Sequence, residues 1–207
     1  MRVTQVHGNV VRILRRGEAS ADASDQRPDG DALVSNVAGH ALAVMVADCV
    51  PILIADRRVG AAAAVHAGWR GSCAGVARAA VLAMQQEFGC HPKDLLAAIG
   101  PSAGPADYEV GAALIDAFRA AGHCDADIEA WFIPTTTTPR LDLWKVNRDQ
   151  LLDAGLADDH IYISGLSTIS YPNVFASYRV SAERAGRMAA VVVVPAAAEC
   201  YDARAGG

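Results

Sequence analysis

Three short apolar segments follow one another closely along the chain, and they restrict the fold more than any other feature. Residues 41–47, 50–55 and 59–66 each have the length and composition of a buried β-strand. The links between them, residues 48–49 and 56–58, are too short for the helical crossover that parallel neighbours require. The sequence therefore predicts an α+β fold in which mixed or antiparallel sheets are flanked by helices.

The remaining elements are predicted from periodicity and from turn residues. The clearest helix spans residues 71–88, where apolar residues recur at helical spacing between Ser72 as N-cap and Gly89 as C-cap. Two more helices are predicted at 110–121 and 142–152, and the small, polar residues 17–30 predict a loop. Further strands are predicted at 3–14 (one bent strand or a strand pair), 31–37, 95–99, 161–163, 174–178 and 189–194.

Length and composition predict one globular domain at residues 1–195, followed by a flexible tail at 196–207. The net charge of -5 provides no basic surplus for a phosphate backbone, so nucleic acid is not an expected partner. The five cysteines show no Cys-x-x-Cys pattern, no secretory signal is visible, and no apolar run is long enough to span a bilayer. We therefore expect a cytoplasmic protein without membrane contact, either a monomer or a weak homodimer.

Three residues at the ends of apolar runs form a candidate metal site. His7, Cys49 and His66 offer two imidazoles and one thiolate, a donor set that suits zinc, with copper as the alternative metal. Three protein ligands leave a fourth position open, as in catalytic zinc sites. Taken singly, each histidine is more often structural and the cysteine more often a buried small hydrophobe. The sequence alone does not show that His7 approaches the other two.

Candidate substrate-binding residues come from three other places. Arg70 precedes the predicted helix at 71–88, whose free N–H groups favour anions, although stacking of Arg70 on Trp69 explains it equally well. Ser102 lies in a rigid turn that either lines a pocket or is only a turn. Arg179 lies near a late strand, where a surface role is the alternative. The other histidines are predicted to be surface residues: His40, His91, His123 and His160.

Short motifs along the chain occur in the order found in one known family. The most specific are Ala-Asp-Cys-Val-Pro at residues 47–51 and His-Ala-Gly-Trp-Arg-Gly at residues 66–71. Shorter motifs accompany them at 5–8, 31–34, 99–102, 108–110, 141–143 and 177–179. Over residues 3–194 the sequence resembles the multicopper polyphenol oxidase, or laccase-domain, family, which includes purine nucleoside phosphorylases of the LACC type and a bacterial peptidoglycan editing factor.

The resemblance implies a layered sandwich of mixed sheets similar to a deamidase-toxin fold. It implies a metal, usually zinc, on His7, Cys49 and His66. It also implies phosphorolysis of adenosine, inosine and methylthioadenosine, with adenosine deamination as a second activity, so the expected partners are a purine nucleoside and phosphate. For this chemistry we assign catalytic roles to Cys49, His66 and Arg70 and substrate contacts to Arg70, Ser102 and Arg179. Arg70 is the first candidate for holding the phosphate, and Arg179 is the second. Asp48 or Asp142 is the candidate general acid or neighbour of the metal ligands.

The sequence departs from the family in two places. Family members usually begin some tens of residues earlier, with a Thr-Thr-Arg-x-Gly-Gly segment. In addition, Ser167 and Thr168 stand where the family often has Cys-Thr. We expect the first departure to affect phosphorylase activity more than the fold.

Three alternative functions stay open at this point. A cysteine hydrolase or amidase that edits peptidoglycan precursors would use Cys49 as nucleophile and His66 as base. A copper-dependent polyphenol oxidase, or laccase, would need more histidines than the six in this chain. A metal-binding domain with little turnover is the non-enzymatic alternative.

Overall fold

The computed structural model describes residues 1–15, 27–56 and 58–194. Its strands are β1 (Val11–Leu14), β2 (Ala32–Ser35), β3 (Ala41–Val46), β4 (Val50–Asp56), β5 (Ala62–Ala67), β6 (Leu95–Ile99), β7 (Phe132–Ile133), β8 (Arg140–Leu141), β9 (Ile161–Ile163) and β10 (Met188–Val193). Its helices are α1 (Trp69–Cys73), α2 (Val76–Phe88), α3 (Ala113–Ala120), α4 (Asp125–Trp131), α5 (Leu143–Asp153) and α6 (Tyr178–Ser181). Most of the predicted loop at 17–30, Arg57 and the predicted tail at 196–207 lie outside the described residues.

The largest sheet has six strands in the order β1-β2-β5-β4-β6-β9. The outer pairs, β1 with β2 and β6 with β9, are parallel, and the three inner pairs are antiparallel. The short link between β4 and β5 enforces the antiparallel pairing, and the Asp56 carboxylate accepts hydrogen bonds from the backbone N–H groups of Arg58 and Val59 within it. The predicted α+β class with a mixed, helix-flanked sheet is confirmed.

Strand β5 lies between two packed layers, and both of its faces are buried. Ala63 and Val65 belong to a hydrophobic cluster shared with helix α2, whereas Ala62 and Ala64 pack against side chains of β3. Successive side chains of a strand point to opposite faces, so small residues on both faces let the two layers approach closely. This packing leaves His66 fixed near the end of a rigid, buried strand.

A second sheet, formed by β3 and β10, covers the other face. The two strands are antiparallel and pair from Ala41 opposite Val193 to Val46 opposite Met188. The outer edge of β3 is met by a side chain: Gln5 Nε2 donates to the Met45 carbonyl at 2.8 Å, and Met45 N donates to Gln5 Oε1 at 2.8 Å. The Gln5 amide thus imitates a strand partner and anchors the segment that carries His7.

The predicted helix at 71–88 is in fact two helices, α1 and α2, separated by a break. Gly75 has a φ of +77°, a left-handed conformation that ends one helix and begins the next. Ser72 is not an N-cap, because it lies inside α1 with its buried hydroxyl 3.5 Å from the carbonyl of Ala67. Gly89 is confirmed as the C-cap, with a φ of +68° and an N–H that donates to the Gln85 carbonyl.

Two other predictions of local structure are wrong. The strand at 174–178 does not form, because the Ser177 hydroxyl accepts a hydrogen bond from Val180 N and caps helix α6. Within 3–14 the named strand is confined to β1, because the backbone N–H groups of His7 and Gly8 donate to the carboxylate of Asp31 instead of a strand partner.

The other helices differ from prediction mainly in their limits. Helix α5 begins one residue after Asp142, whose carboxylate caps it by accepting from Lys145 N at 2.9 Å. Helix α3 begins later than predicted, and α4 was not predicted at all. Its two buried residues, Ile128 and Trp131, span one turn, which is too short to give a periodic signal. No helix in the described ranges is both long enough and apolar enough to cross a membrane.

Candidate functional site

The structure brings together the three residues proposed as metal ligands. His7 lies in the segment before β1, Cys49 in the link between β3 and β4, and His66 in β5. Their potential ligand atoms, one from each side chain, all lie within 4.8 Å of one another. His66 is buried, Cys49 is half-buried and His7 is exposed, so the cluster opens to solvent on the His7 side.

The register of the central sheet explains why Cys49 and His66 meet. Strands β4 and β5 are antiparallel, with Pro51 opposite His66 and Val50 opposite Ala67. Cys49 therefore lies just beyond the end of this ladder. Asp48 turns the chain there with a φ of +81°, an uncommon conformation that aspartate tolerates better than most residues.

The buried carboxylate of Asp31 holds both histidines of the cluster, His7 and His66, in place. Asp31, at the start of β2, is fully buried and accepts hydrogen bonds from His7 N at 2.9 Å and Gly8 N at 2.7 Å. Its Oδ1 atom also lies 2.9 Å from Nδ1 of His66. An ionised carboxylate can only accept, so Nδ1 of His66 carries the proton and Nε2 is left for the cluster.

Charges within the cluster shift the acidity of its members. Burial opposes ionisation of the Cys49 thiol, but hydrogen bonds and positive charge from His66 and His7 outweigh it and lower its pKa to about 7. Burial also opposes protonation of His66, but Asp31 and Cys49 outweigh it and raise the His66 pKa to about 9. Without a metal, the two side chains therefore favour a thiolate–imidazolium pair between these values.

Two glycines allow the segments around the cluster to approach closely. A Cβ atom on Gly68 would lie 2.9 Å from Sγ of Cys49 and 3.3 Å from the His7 ring. A Cβ atom on Gly71 would lie 2.9 Å from the carbonyl oxygen of Gly8. Both glycines of the His-Ala-Gly-Trp-Arg-Gly segment are thus needed for space.

A cavity of about 540 Å³ adjoins the cluster. Besides the three proposed metal ligands, the cavity is lined by apolar, aromatic, amide, acidic and basic residues: Gln5, Met45, Ala47, Asp48, Gly68, Tyr108, Leu143, Tyr178, Arg179 and Arg187. The guanidinium of Arg179 stacks 4.6 Å from the ring centre of Tyr108, and its Nη1 donates to the carbonyl of Glu109 at 3.0 Å. Cations and metal-capable side chains therefore face one cavity of a size that suits a small molecule.

The three predicted substrate-binding residues lie in different places relative to the cavity. Arg179 lines the cavity, whereas Arg70 and Ser102 are not among the described residues that line it. Arg70 is exposed and stacks over Trp69, with its guanidinium 4.3 Å from the ring centre. Their assignment to substrate binding stays a prediction.

Ser102 is fully buried and its hydroxyl already has partners. The Oγ atom accepts a hydrogen bond from Nε1 of Trp144 at 2.7 Å and donates to the carbonyl of Gly100 at 3.2 Å. Of the two candidate acids, Asp48 lines the cavity, whereas Asp142 caps helix α5.

The four remaining histidines do not join the cluster. His91 is exposed as predicted, but His40, His123 and His160 are half-buried rather than on the surface. Nε2 of His123 lies 2.8 Å from the Cys73 carbonyl oxygen, and Nδ1 of His160 lies 3.1 Å from that of Leu95. These contacts explain both rings as structural.

Sequence reasoning missed several residues of the site, including Asp31, Tyr108 and Arg187. A carboxylate directly before an apolar strand is a usable signal for Asp31, because a buried charge needs partners. Tyr108 belongs to the motif at 108–110 and Arg187 is an arginine near a late strand, but neither pattern assigned a role, since tertiary packing alone brings both to the cavity.

The mixed sheet, the His–Cys–His cluster and the adjoining cavity define a small-molecule site at the edge of a rigid sheet. The family described as multi-copper polyphenol oxidoreductase laccase matches residues 1–195, and the chain belongs to this family.

Relatives named purine nucleoside phosphorylase match most of the chain. The purine nucleoside phosphorylase of Bacteroides thetaiotaomicron is 34% identical, over 93% of this chain and 73% of that protein. Purine nucleoside phosphorylase YfiH of Escherichia coli is 36% identical, over 91% of this chain and 71% of that protein. The crystal structure of YlmD from Geobacillus stearothermophilus superposes with a TM-score of 0.85 at 33% identity, covering 94% of this chain and 74% of that one. These relatives support a phosphorylase-type enzyme.

Proposed function

We propose that the protein is a zinc-dependent purine nucleoside phosphorylase acting on adenosine, inosine and methylthioadenosine. The names of the relatives support the reaction class. The observation that carries the proposal is the cavity itself, which His7, Cys49 and His66 share with Arg179. A nucleoside and a phosphate ion need such a combination of polar, aromatic and cationic groups.

The residues of the cluster fit a zinc ion. One thiolate and two imidazoles are standard zinc ligands, and His66 has the carboxylate partner on its second nitrogen that zinc-bound histidines usually have. Three ligands would leave one position for a substrate or water. When bound, zinc would supply a Lewis acid that polarises a substrate oxygen or nitrogen.

Side chains of this protein would position the phosphate. Arg179 is the first candidate, because its guanidinium is held by Tyr108 and by the carbonyl of Glu109 at the cavity wall. Arg187 lines the same cavity and is the second. An anion fixed beside C1′ of the ribose would gain proximity, and the cations would stabilise the charge that moves during glycosidic cleavage. Arg70 is not among the described residues that line the cavity, so it stays a weaker candidate.

The cavity gives little basis for selecting one purine over another. The Gln5 amide makes one donated and one accepted hydrogen bond with the backbone of Met45, and the carboxylate of Asp48 accepts two hydrogen bonds within the protein. This favours acceptance of both 6-amino and 6-oxo purines. Adenosine deamination at the same cluster is part of the proposal as a second activity.

The test combines metal analysis with a phosphorolysis assay. Freshly purified protein should contain close to one zinc per chain and release hypoxanthine from inosine in a phosphate-dependent manner. His66→Ala should lose both the metal and the activity, and His91→Ala, which removes an exposed histidine outside the cavity, should retain both. Retained turnover and retained zinc in His66→Ala would refute the assignment. Ammonia release from adenosine tests the deaminase activity.

A second candidate function is favoured by one observation. Cys49, His66 and Asp31 form a chain of contacts like that of a cysteine hydrolase, with the Cys49 pKa lowered to about 7. An amidase acting on peptidoglycan precursors would form a covalent adduct at Cys49 and would work without metal. Treatment with a chelator distinguishes this function from the first.

Copper-dependent phenol oxidation has less support. Two of the six histidines lie in the cluster. No second group of potential metal ligands is present among the described residues. A multicopper oxidase requires further copper sites, so we rank this activity third and attribute any copper binding to the single His–Cys–His site.

A further inference from the structure

We propose that Asp48 is a positioning residue that holds Arg179 against the cavity, directly beside the metal ligand Cys49. This inference rests on the proposed function, in which Arg179 binds phosphate. It assigns Asp48 a structural task in the reaction rather than that of the general acid.

The contacts of Asp48 join three separate segments. Its side chain is 6% exposed, and both carboxylate oxygens accept hydrogen bonds. Oδ1 accepts from the hydroxyl of Thr168 at 2.6 Å, and Oδ2 accepts from the backbone N–H of Arg179 at 2.7 Å. Its carbonyl oxygen accepts from Ala103 N at 2.9 Å. The link that carries Cys49 is therefore tied to segments more than fifty residues away.

The segment that Asp48 holds needs such an anchor. Helix α6 has four residues, and helices of this length have almost no stability of their own. Arg179 is exposed, so the backbone contact with Asp48, the stacking on Tyr108 and the hydrogen bond to the Glu109 carbonyl together fix where its guanidinium lies. Loss of the carboxylate would remove the hydrogen bond to the backbone of Arg179. The three proposed metal ligands, His7, Cys49 and His66, would all still be present.

The hydrogen-bond pattern separates positioning from acid catalysis. The N–H of Arg179 can only donate, so Oδ2 of Asp48 acts as an acceptor. An asparagine could replace the carboxylate, with its oxygen toward Arg179 and its NH2 group toward Thr168, whose hydroxyl can rotate to accept. An asparagine cannot act as a general acid.

The experiment therefore compares Asp48→Gly with Asp48→Asn. Glycine accepts the φ of +81° without strain but removes both hydrogen bonds. For Asp48→Gly we expect the KM for phosphate and the Kd for inorganic phosphate, measured by calorimetry, to rise roughly tenfold or more. The zinc content at saturating zinc should change little, and any fall in kcat should be reversed in Asp48→Asn. Asp48→Asn should recover most of the phosphate affinity.

Two further variants control for general loosening of the structure. Asp56 is buried like Asp48, and its Oδ1 accepts hydrogen bonds from the backbone N–H groups of Arg58 and Val59 at the opposite end of β4 from Cys49. Asp56→Ala should leave the phosphate Kd within about twofold of wild type, as expected for a separate site. If Asp48→Gly does not fold, Thr168→Val removes one of the two donors and should weaken phosphate binding in the same direction.

The outcomes are distinct. Equal loss of kcat in Asp48→Gly and Asp48→Asn, with phosphate binding unchanged, would overturn positioning in favour of acid catalysis. Equal weakening in Asp56→Ala would reduce the effect to general loosening and would also overturn the proposal. Wild-type protein that binds phosphate but does not cleave inosine would contradict the proposed function alone. Wild-type protein that does not bind phosphate would overturn both.

Discussion

The replacement Gly68→Ala should damage the metal site by steric contact alone. Gly68 has a φ of −72° and a ψ of 173°, which alanine adopts without strain. The added methyl group would lie 2.9 Å from Sγ of Cys49, and ordinary van der Waals contact begins at 3.4 Å, so the atoms must separate by about 0.5 Å. Zinc–ligand distances hold to about 0.2 Å, so the displacement exceeds what the site tolerates.

The expected result is a loss of zinc affinity of at least roughly tenfold, the effect typical of disturbing the groups around a metal. Affinity is measured by competition with a chromogenic chelator at fixed pH. Gly111→Ala is the matched control, because a Cβ atom at Gly111 meets nothing within 4 Å and should leave the affinity unchanged. Wild-type zinc affinity in Gly68→Ala would show that Cys49 is not a ligand or that the segments are not packed as described.

Three further predictions concern the same site. Asp31→Asn should lower the free energy of unfolding of the metal-free protein by about 3 kcal/mol, measured in urea, because a buried carboxylate loses charge-assisted hydrogen bonds. The Asp31 pKa is lowered in the fold, so wild type should lose this advantage as pH falls below about 4, and unchanged stability of Asp31→Asn at neutral pH would contradict the prediction. Alkylation of Cys49 by iodoacetamide in metal-free protein should rise with pH around a midpoint near 7 and stop on zinc addition, while Cys90, with a pKa near 12, should react negligibly; equal rates would refute the assigned acidity. Arg179→Ala should raise the KM for phosphate roughly tenfold, and Arg70→Ala should do so much less, since Arg70 lies outside the cavity lining; the reverse order would restore Arg70 as the phosphate ligand.

The fold was largely accessible from the sequence where the signal is local. The short link between the second and third apolar segments predicted the antiparallel pair β4–β5, whereas the first segment, β3, pairs with β10 in the second sheet. Local signals failed where a tertiary contact decides the structure. Gly75 breaks the long apolar stripe at 71–88 into two helices, and Ser177 turns a β-like segment into the start of α6. The secondary-structure propensities of single residues do not reflect these contacts.

The candidate site divides in the same way. Reactive residues at strand ends, His7, Cys49 and His66, could be selected from the sequence because their chemistry is visible in single letters. The sequence favoured Arg70 over Arg179 for the phosphate because Arg70 precedes a predicted helix, but this local pattern does not show which arginine reaches the cavity. The structure separates them by contacts over long distances in the chain, with Arg179 tied to Asp48 and stacked on Tyr108.

The residue on which the cluster most depends is not itself a proposed ligand. Asp31 contacts the backbone of His7 and the ring of His66, so a single carboxylate sets the position of two of the three ligands. Asp31 itself is fully buried directly before strand β2, where the surrounding sheet fixes its position. His7, in contrast, is exposed and has a φ of +61°, a conformation that the Asp31 contact helps to maintain. The exposed segment that carries His7 is thereby tied to the buried sheet, and residues far apart in the chain come together at the candidate metal site.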